Sequence, residues 1–185
     1  MARTPSNMIP LGTKAPHFEL IDTKDNILKS LNSLKGEKAT VIMFICNHCP
    51  FVIHVNPEIT KLAKDYVNQG VNCIAISSND TDNYPQDRPE LMQQVAAQED
   101  YIFPYLYDSD QKVAKSYDAA CTPDFYLFNS NLELVYRGQL DSSRPENNKP
   151  LNGKNLRNAI DATLKDQKVS EIQYPSIGCN IKWKN

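Results

Sequence analysis

The sequence lacks the long apolar runs and the one-sided charge that mark several classes of protein. No run approaches the roughly 18 apolar residues of a membrane span, and the N-terminal segment lacks the core of about seven apolar residues found in a secretory signal. Lys and Arg number 20, Asp and Glu number 22, and the formal net charge is −2. These absences predict a cytoplasmic protein that binds neither nucleic acid nor a membrane.

Cysteine is too scarce, and odd in number, for a disulfide scaffold. The five cysteines are Cys46, Cys49, Cys73, Cys121 and Cys179. The 185 residues, of which 41% are hydrophobic, are enough to fold around one core without covalent crosslinks. We therefore expect one domain over residues 1–185, with residues 168–185 as a C-terminal tail that folds back on it. Cysteine in such a chain indicates redox or metal chemistry in a reducing compartment.

Two of the cysteines stand where a predicted strand meets a predicted helix. Residues 39–45 are largely apolar without alternation, which predicts a buried central strand in a sheet that is at least partly parallel. Pro50 suits the first position of a helix, so Cys49 becomes its N-cap. A helix N-terminus or a Cys-x-x-Cys partner can lower a cysteine pKa from about 8.5 to roughly 3.5–7.5. Cys46 and Cys49 therefore predict a redox centre, with His48 as a neighbouring cation when protonated.

The rest of the chain predicts strands and helices in alternation. The predicted strands are a short one before residue 22 with its hairpin return at 26–28, then 71–77, 101–107, 125–128 and 132–137. The predicted helices are 30–34, 50–69, 89–98, 109–117 and 154–167. Residues 78–88 should form a solvated loop beside the site, and Cys73 should be inert core. This order predicts an α/β fold, with a central mixed β-sheet flanked by helices and an N-terminal β-hairpin extension.

Several short motifs resemble those of one family in their order and spacing. They are Gly-x-x-Ala-Pro-x-Phe at 12–18, Leu-x-x-Leu-Lys-Gly at 31–36, a strand, an Asp and a Val-Ala-x-x-Tyr helix at 103–117, and Thr122-Pro123. Through them nearly the whole chain resembles the AhpC/TSA (redoxin), peroxiredoxin-like branch of the thioredoxin-fold superfamily. The resemblance implies a thioredoxin-like fold in which the Thr122-Pro123 bond is cis and these two residues shape a substrate groove that faces the cysteines.

The cysteine centre departs from the pattern of typical peroxiredoxins. Those proteins carry a Thr at the third position before the peroxidatic cysteine, and Cys46 takes that place if Cys49 is the equivalent residue. The motif Cys46-Asn47-His48-Cys49 instead resembles the Cys-x-His-Cys centre of oxidising disulfide oxidoreductases with the same fold. In those proteins the first cysteine attacks and the His raises its reactivity. The two alignments leave open which cysteine attacks first.

Electrostatic arguments favour Cys49 as the more acidic thiol by a small margin. Its N-cap position would stabilise a thiolate by about 0.3–1 kcal/mol, or by up to about 2 kcal/mol when partly buried. Cys46 would gain instead from protonated His48. Because one pKa unit corresponds to about 1.4 kcal/mol, the two effects nearly cancel. Cys121, beside the predicted groove, and Cys179, in the tail, are candidates for additional redox thiols.

The sequence predicts a thiol-disulfide oxidoreductase with a peroxiredoxin-like, antioxidant role and no cofactor. Cys46, Cys49 and His48 are the predicted catalytic residues. One thiolate attacks a disulfide or a peroxide, the other cysteine resolves the adduct, and an external thiol reductant of the thioredoxin or glutathione kind restores both thiols. An alternative is the binding of Cu(I) or Zn(II) by Cys46, His48 and Cys49, with His54 as a further ligand, since these are soft ligands suited to both ions.

Overall fold

The computed structural model describes residues 3–184. Its strands are β1 (Arg3–Pro5), β2 (Glu19–Asp22), β3 (Ile27–Ser30), β4 (Ala39–Phe44), β5 (Val71–Ser77), β6 (Tyr105–Tyr107), β7 (Cys121–Thr122), β8 (Asp124–Asn129), β9 (Leu134–Gly138) and β10 (Ile177–Asn180). Its α-helices are α1 (Leu31–Leu34), α2 (Pro50–Tyr66), α3 (Pro89–Gln98), α4 (Lys112–Ser116) and α5 (Lys154–Leu164). Within the described range, no helix combines the length and the apolar character needed to cross a lipid bilayer.

The main sheet has seven strands in the order β3-β2-β6-β5-β4-β8-β9. Strand β4 pairs in parallel with β5 and antiparallel with β8, which confirms the predicted mixed sheet and its buried interior strand. Strands β2 and β3 form the predicted N-terminal hairpin. Because β4 and β5 end at the same edge of the sheet, the residues that follow β4, including Cys46 and Cys49, lie next to the loop that follows β5.

Strand β4 is buried on both faces because each face contributes to a different core. Val41 and Met43 belong to a core that includes the apolar sides of α2 and α5. Ile42 and Phe44 point to the opposite face, where they belong to a second core with residues of α4. Each side chain of this size stabilises the fold by about 1.5–3 kcal/mol when fully buried. The non-alternating apolar run thus fixes the strand that carries the cysteine motif.

A second sheet of three strands lies beside the cysteine motif. Strand β10 lies between β1 and β7 and pairs antiparallel with both. The register places Cys179 opposite Thr122. Gly178 permits this close approach, because a Cβ atom on it would lie 1.9 Å from the carbonyl oxygen of Thr122. The sequence does not predict β1, since a segment of three residues is too short to show a period.

Several predicted boundaries are wrong by a few residues. Helix α2 ends at Tyr66 and continues to Gln69 only as a 3-10 helix, and the strand predicted at 101–107 is limited to β6. Helix α4 begins at Lys112 rather than at 109, because the carboxylate of Asp108 accepts hydrogen bonds from the backbone N–H groups at the start of the helix. Helix α5 ends at Leu164 rather than at 167, because Asp166 has a positive φ of 52°.

The loop over residues 78–88 is solvated only in part, because its middle is exposed at Asp82, Asn83, Pro85 and Gln86 while other residues are not. Ser78, Asn79, Asp80 and Asp87 are all buried. A buried carboxylate needs hydrogen-bond donors. Asp87 accepts a hydrogen bond of 2.8 Å from the backbone N–H of Asn47 and another of 2.8 Å from the side-chain amide of Asn79. The loop therefore packs directly against the cysteine motif.

Candidate active site

Cys49 occupies the N-cap of α2, as the sequence predicts. Its backbone is extended, with φ −72° and ψ 121°, and Pro50 follows at the first helical position. The first N–H groups of a helix have no acceptor within the helix. Pro50 has no N–H, so it leaves no such group unsatisfied at the first position, and the fixed φ of its ring suits the helix. The side chain of Cys49 is fully buried at the end of the helix where backbone N–H groups lack helical partners.

Three sulfur atoms are grouped around this helix end. The Sγ atom of Cys49 lies 2.9 Å from the Sγ atom of Cys179 and 3.2 Å from the carbonyl oxygen of Thr122. The Sγ atom of Cys46 lies 3.4 Å from the Oγ1 atom of Thr122. Cys46, Cys49 and Cys179 are 2%, 0% and 3% exposed. The structure thus brings together four residues that the sequence nominates separately.

Hydrogen bonding lowers the pKa of the Cys49 thiol to about 5. The largest cause is a hydrogen bond from the Cys46 thiol, and the Cys179 thiol and the backbone N–H groups of Val52 and Cys179 act in the same direction. Burial opposes them, because it disfavours the charged form. Cys49 is therefore the more acidic of the pair, as predicted. The main reason is the neighbouring thiol rather than the helix dipole alone.

The two neighbouring thiols are held in the neutral form. The pKa of Cys46 is raised well above its usual value, first by its hydrogen bond to Cys49 and then by burial and by the negative charge of Asp87. Burial, followed by the hydrogen bond to Cys49, raises the pKa of Cys179 to about 12. The result is a single thiolate at Cys49 beside two thiols, each of which can donate a hydrogen bond to it.

His48 lies beside a buried carboxylate. Its Nδ1 atom lies 2.7 Å from Oδ2 of Asp87, which is fully buried. The imidazole ring stacks on Tyr84, with the ring centroids 5.8 Å apart and the planes 8° from parallel. Donor atoms of Cys46, His48 and Asp87 all lie within 4.8 Å of one another. The histidine therefore lies beside Cys46 and Asp87, although the geometry at Nδ1 does not make a hydrogen bond.

Sequence reasoning missed Asp87 because it assigned the polar loop after β5 to solvent. A usable signal is present in the topology. Parallel strands β4 and β5 end at the same sheet edge, so an acid in the loop after β5 can reach the motif after β4. A polar sequence such as residues 78–88 is therefore as consistent with hydrogen bonds to residues at this sheet edge as with exposure to water.

The predicted groove residues lie directly beside the sulfur atoms. The Thr122-Pro123 peptide bond is cis, which confirms the prediction made from the resemblance. Thr122 contacts both Cys46 and Cys49. Pro123 lines a cleft together with Phe51, the residue two positions after Cys49, and Ile177 of β10. None of the cysteines lines this cleft, which the first turn of α2 and the cis-proline border.

The two remaining cysteines differ from this group. The Sγ atom of Cys121 lies 3.8 Å from the carbonyl oxygen of Pro123, and burial and the charge of Asp124 raise the pKa of this thiol. Cys73 lies within β5, where burial alone raises its pKa to about 12. Cys73 therefore agrees with the prediction of an inert core thiol. Cys121 lies beside the groove, as expected, but its sulfur contacts a backbone carbonyl and the Ser6 side chain.

The predicted set of metal ligands is not assembled as expected. In residues 3–184, the candidate metal cluster consists of Cys46, His48 and Asp87. The sulfur of Cys49 contacts Cys179 instead, and the Nε2 atom of His54 lies 2.8 Å from the hydroxyl of Ser143. The comparisons with known proteins, which point to thiol chemistry, do not favour the metal alternative either.

The chain is 29% identical over 125 residues to the thiol-disulfide oxidoreductase ResA of Halalkalibacterium halodurans. The matched part is 67% of this chain and 65% of ResA, so the chain spans slightly less than two thirds of that relative.

Solved structures include two that match over almost the full length. An uncharacterised conserved protein from Geobacillus kaustophilus is 56% identical with a TM-score of 0.98, covering 100% of this chain and 97% of that one. A hypothetical protein from Sinorhizobium meliloti is 46% identical with a TM-score of 0.95, covering 98% of both chains. A putative thiol:disulfide interchange protein DsbE from Chlorobium tepidum has a TM-score of 0.65 at 18% identity, covering 84% of this chain and 99% of that one, and shows the thioredoxin-like fold alone.

The family model of the AhpC/TSA family matches residues 11–137. This range includes the cysteine motif, its supporting loop after β5 and the cis-proline, and it ends within β9. It accounts for well over half of the chain, and the protein belongs to the AhpC/TSA family.

Proposed function

We propose that this protein is a thiol-disulfide oxidoreductase in which Cys49 is the attacking thiol. The observation that carries the proposal is the environment of Cys49. Its sulfur lies at a helix N-terminus between two other thiols, and its pKa is lowered to about 5. A thiol with this pKa is almost entirely thiolate near neutral pH, and the thiolate is the nucleophile in disulfide exchange.

The reaction follows from this assignment. The thiolate of Cys49 attacks one sulfur of a substrate disulfide, forms a mixed disulfide and releases the other substrate sulfur as a thiolate. Cys46 then attacks the Sγ atom of Cys49, which releases the second substrate thiolate and leaves a Cys46–Cys49 disulfide. Cys46 must lose its proton for this step. His48, which lies beside Cys46 and Asp87, is the base that accepts it.

An external thiol returns the protein to its starting state. A thioredoxin-like or glutathione-like reductant attacks the Cys46–Cys49 disulfide and restores both thiols in two exchange steps. Such reductants are maintained in the cytoplasm, where we place the activity. Thr122 and Pro123 form the wall along which the substrate disulfide approaches, since Thr122 contacts the reactive sulfur and Pro123 lines the adjacent cleft.

Peroxide reduction is a second candidate, favoured by the complete burial of Cys49. A peroxide is far smaller than a protein disulfide and can reach a covered sulfur more easily. The Cys49 thiolate would attack the O–O bond, take one oxygen as sulfenic acid and release hydroxide or alkoxide. A second thiol would then displace water to form a disulfide. This route gives the protein an antioxidant role.

Parallel turnover assays test the proposal and separate the two candidates. The reduced protein is given either oxidised glutathione or hydrogen peroxide, with a thiol reductant in excess, and substrate loss is followed. Cys49→Ser should abolish both activities, while Cys73→Ala serves as a cysteine-removal control distant from the site. An activity that Cys49→Ser retains would contradict the assignment of Cys49.

A further inference from the structure

Cys179 is placed against the reactive sulfur by the C-terminal strand. Its Sγ atom lies 2.9 Å from that of Cys49, although the two residues are 130 positions apart. A disulfide bond has an S–S distance of about 2.05 Å, so a movement of less than about 1 Å would join the two sulfurs. Residue 179 lies outside the segment that matches the AhpC/TSA family model. The resemblance in sequence therefore gives this cysteine no role.

The backbone of β10 is held tightly enough to fix the position of Cys179. The strand pairs with β1 on one side and with β7 on the other. The Oγ atom of Ser176 donates a hydrogen bond of 2.5 Å to the carbonyl oxygen of Pro123. Gly178 allows the strand to lie directly against Thr122, where any Cβ atom would clash. The strand thus presents Cys179 directly to Cys49.

We propose that Cys179 is a second resolving thiol, which forms a disulfide with Cys49 in competition with Cys46. The inference deepens the proposed function and rests on it, because it requires an adduct on Cys49. The two resolving thiols lie on different elements, one at the end of β4 and the other in β10. The protein can therefore be oxidised to either of two disulfides that share one sulfur.

The exchange is balanced in atoms and electrons. When Cys49 carries a substrate thiol as a mixed disulfide, Cys179 attacks Sγ of Cys49 and its proton passes to the departing substrate sulfur. The substrate leaves as a thiol, and a Cys49–Cys179 bond remains. Cys46 can then attack the same Sγ atom while its proton passes to the departing sulfur of Cys179, which forms the Cys46–Cys49 disulfide and restores the Cys179 thiol. An external thiol reduces either form.

The Cys49–Cys179 disulfide would have a consequence that the Cys46–Cys49 disulfide does not. It links the start of α2 to β10, and therefore fixes the strand that covers Cys49. The Cys46–Cys49 disulfide leaves β10 attached only by hydrogen bonds and packing. Resolution by Cys179 would give a closed oxidised state, and exchange to Cys46 would release the strand.

Disulfide mapping in single variants tests this proposal. Reduced Cys46→Ala protein is treated with one equivalent of hydrogen peroxide, quenched with N-ethylmaleimide, and mapped by peptide mass spectrometry. We expect most molecules to contain the Cys49–Cys179 disulfide. In the matched Cys46→Ala/Cys179→Ala variant, Cys49 should instead accumulate as sulfenic acid or its oxidation products. Alkylated Cys179 beside oxidised Cys49 in the single variant would overturn the proposal.

Two further samples separate the role of Cys179 from the activity of Cys49 and from variant folding. In Cys179→Ala, formation of the Cys46–Cys49 disulfide reports on the proposed function independently, so its loss would identify a failure of that function rather than of the role of Cys179. In the wild-type protein, rapid quenching should yield both disulfides, which removes any dependence on variant folding. Wild-type protein that yields only Cys46–Cys49 at every quench time would contradict a resolving role for Cys179.

Discussion

Cys49 and Cys73 are both buried cysteines, yet their thiols have opposite properties. Cys73 lies in the middle of β5, where desolvation alone acts and raises its pKa to about 12. Cys49 is at least as well buried, at 0% exposed against 5%, but its pKa falls to about 5. The difference is the supply of hydrogen-bond donors. A strand interior uses its N–H groups in the sheet, whereas a helix N-terminus and two adjacent thiols leave donors for a thiolate.

The catalytic rate should show the largest difference between the two cysteines when each sulfur is removed in turn. Cys49→Ser should reduce turnover of oxidised glutathione or hydrogen peroxide by several orders of magnitude, because the serine hydroxyl is not ionised near neutral pH. Cys73→Ala should leave the rate unchanged, since Cys73 pairs with Val41 within β4, whereas the cysteine motif follows the end of that strand. Steady-state assays of the two variants beside the wild-type protein measure both effects. Equal losses in the two variants would show that the protein responds to core damage and not to loss of a nucleophile.

The pH dependence of stability should differ between the two cysteines by several kcal/mol. In the folded protein the pKa of Cys49 is about 5, against about 8.5 when unfolded, so the folded state binds fewer protons between these values. The stabilisation is therefore complete above the unfolded pKa and is lost as the pH falls through about 5. From about pH 5 to about pH 7 it should grow by on the order of 2–3 kcal/mol.

Denaturant unfolding of the wild-type and Cys49→Ser proteins measures this contribution. The difference in their free energies of unfolding should increase with pH over that window, while the contributions of Asp, Glu and His cancel in the subtraction. The Cys73→Ala protein, compared in the same way, should show a constant difference, because Cys73 titrates only at higher pH in both states. A constant difference for Cys49→Ser as well would mean that its pKa is not depressed.

The two donor thiols should contribute unequally to the acidity of Cys49. Cys46→Ala should raise the pKa of Cys49 more than Cys179→Ala does, since the hydrogen bond from Cys46 is the largest cause of the shift. A hydrogen bond to a charged group is worth about 1.5–3 kcal/mol, which corresponds to roughly one to two pKa units. The pH dependence of iodoacetamide alkylation at Cys49, measured in each variant, gives the two shifts. A larger pKa increase in Cys179→Ala than in Cys46→Ala would show that Cys179, on β10, is the stronger hydrogen-bond donor.

Loss of the Cys73 side chain should have the smallest effect. Cys73→Ala removes one buried sulfur from the core and should lower the free energy of unfolding by about 1 kcal/mol. The thiol makes no compensating electrostatic contribution near neutral pH. Thermal and denaturant unfolding measure the loss, and Cys73→Val, which restores the volume, should recover part of it. A loss of several kcal/mol would indicate a role for this thiol beyond packing.

The sequence specifies most of the framework that holds Cys49. The apolar run before Cys46, Pro50 and the element order are local signals, and they correctly predict β4, the helix start and the mixed sheet. The cis form of the Thr122-Pro123 bond can be predicted only from the family resemblance, since no local feature of the sequence distinguishes this bond from other bonds that precede proline. Its cis form follows from the resemblance and not from composition.

The donors that make Cys49 acidic are harder to predict, because they come from distant segments. Cys179 reaches the site through β10, whose pairing with the short strands β1 and β7 has no period to reveal it. Asp87 lies in a loop whose polar sequence looks the same whether it faces water or the end of a neighbouring strand. Local sequence patterns therefore predict the helix N-terminus at Cys49, whereas the donors that lower its pKa depend on tertiary contacts.

One titration tests most directly the claim that donors, and not burial, set the reactivity of these thiols. The fully reduced wild-type protein is alkylated briefly with iodoacetamide at steps from about pH 4 to about pH 9, and the modification of Cys49 and Cys73 is quantified by peptide mass spectrometry in the same samples. We expect a midpoint near pH 5 for Cys49, with Cys73 unmodified throughout. A midpoint for Cys49 at or above the usual value of about 8.5 would contradict it.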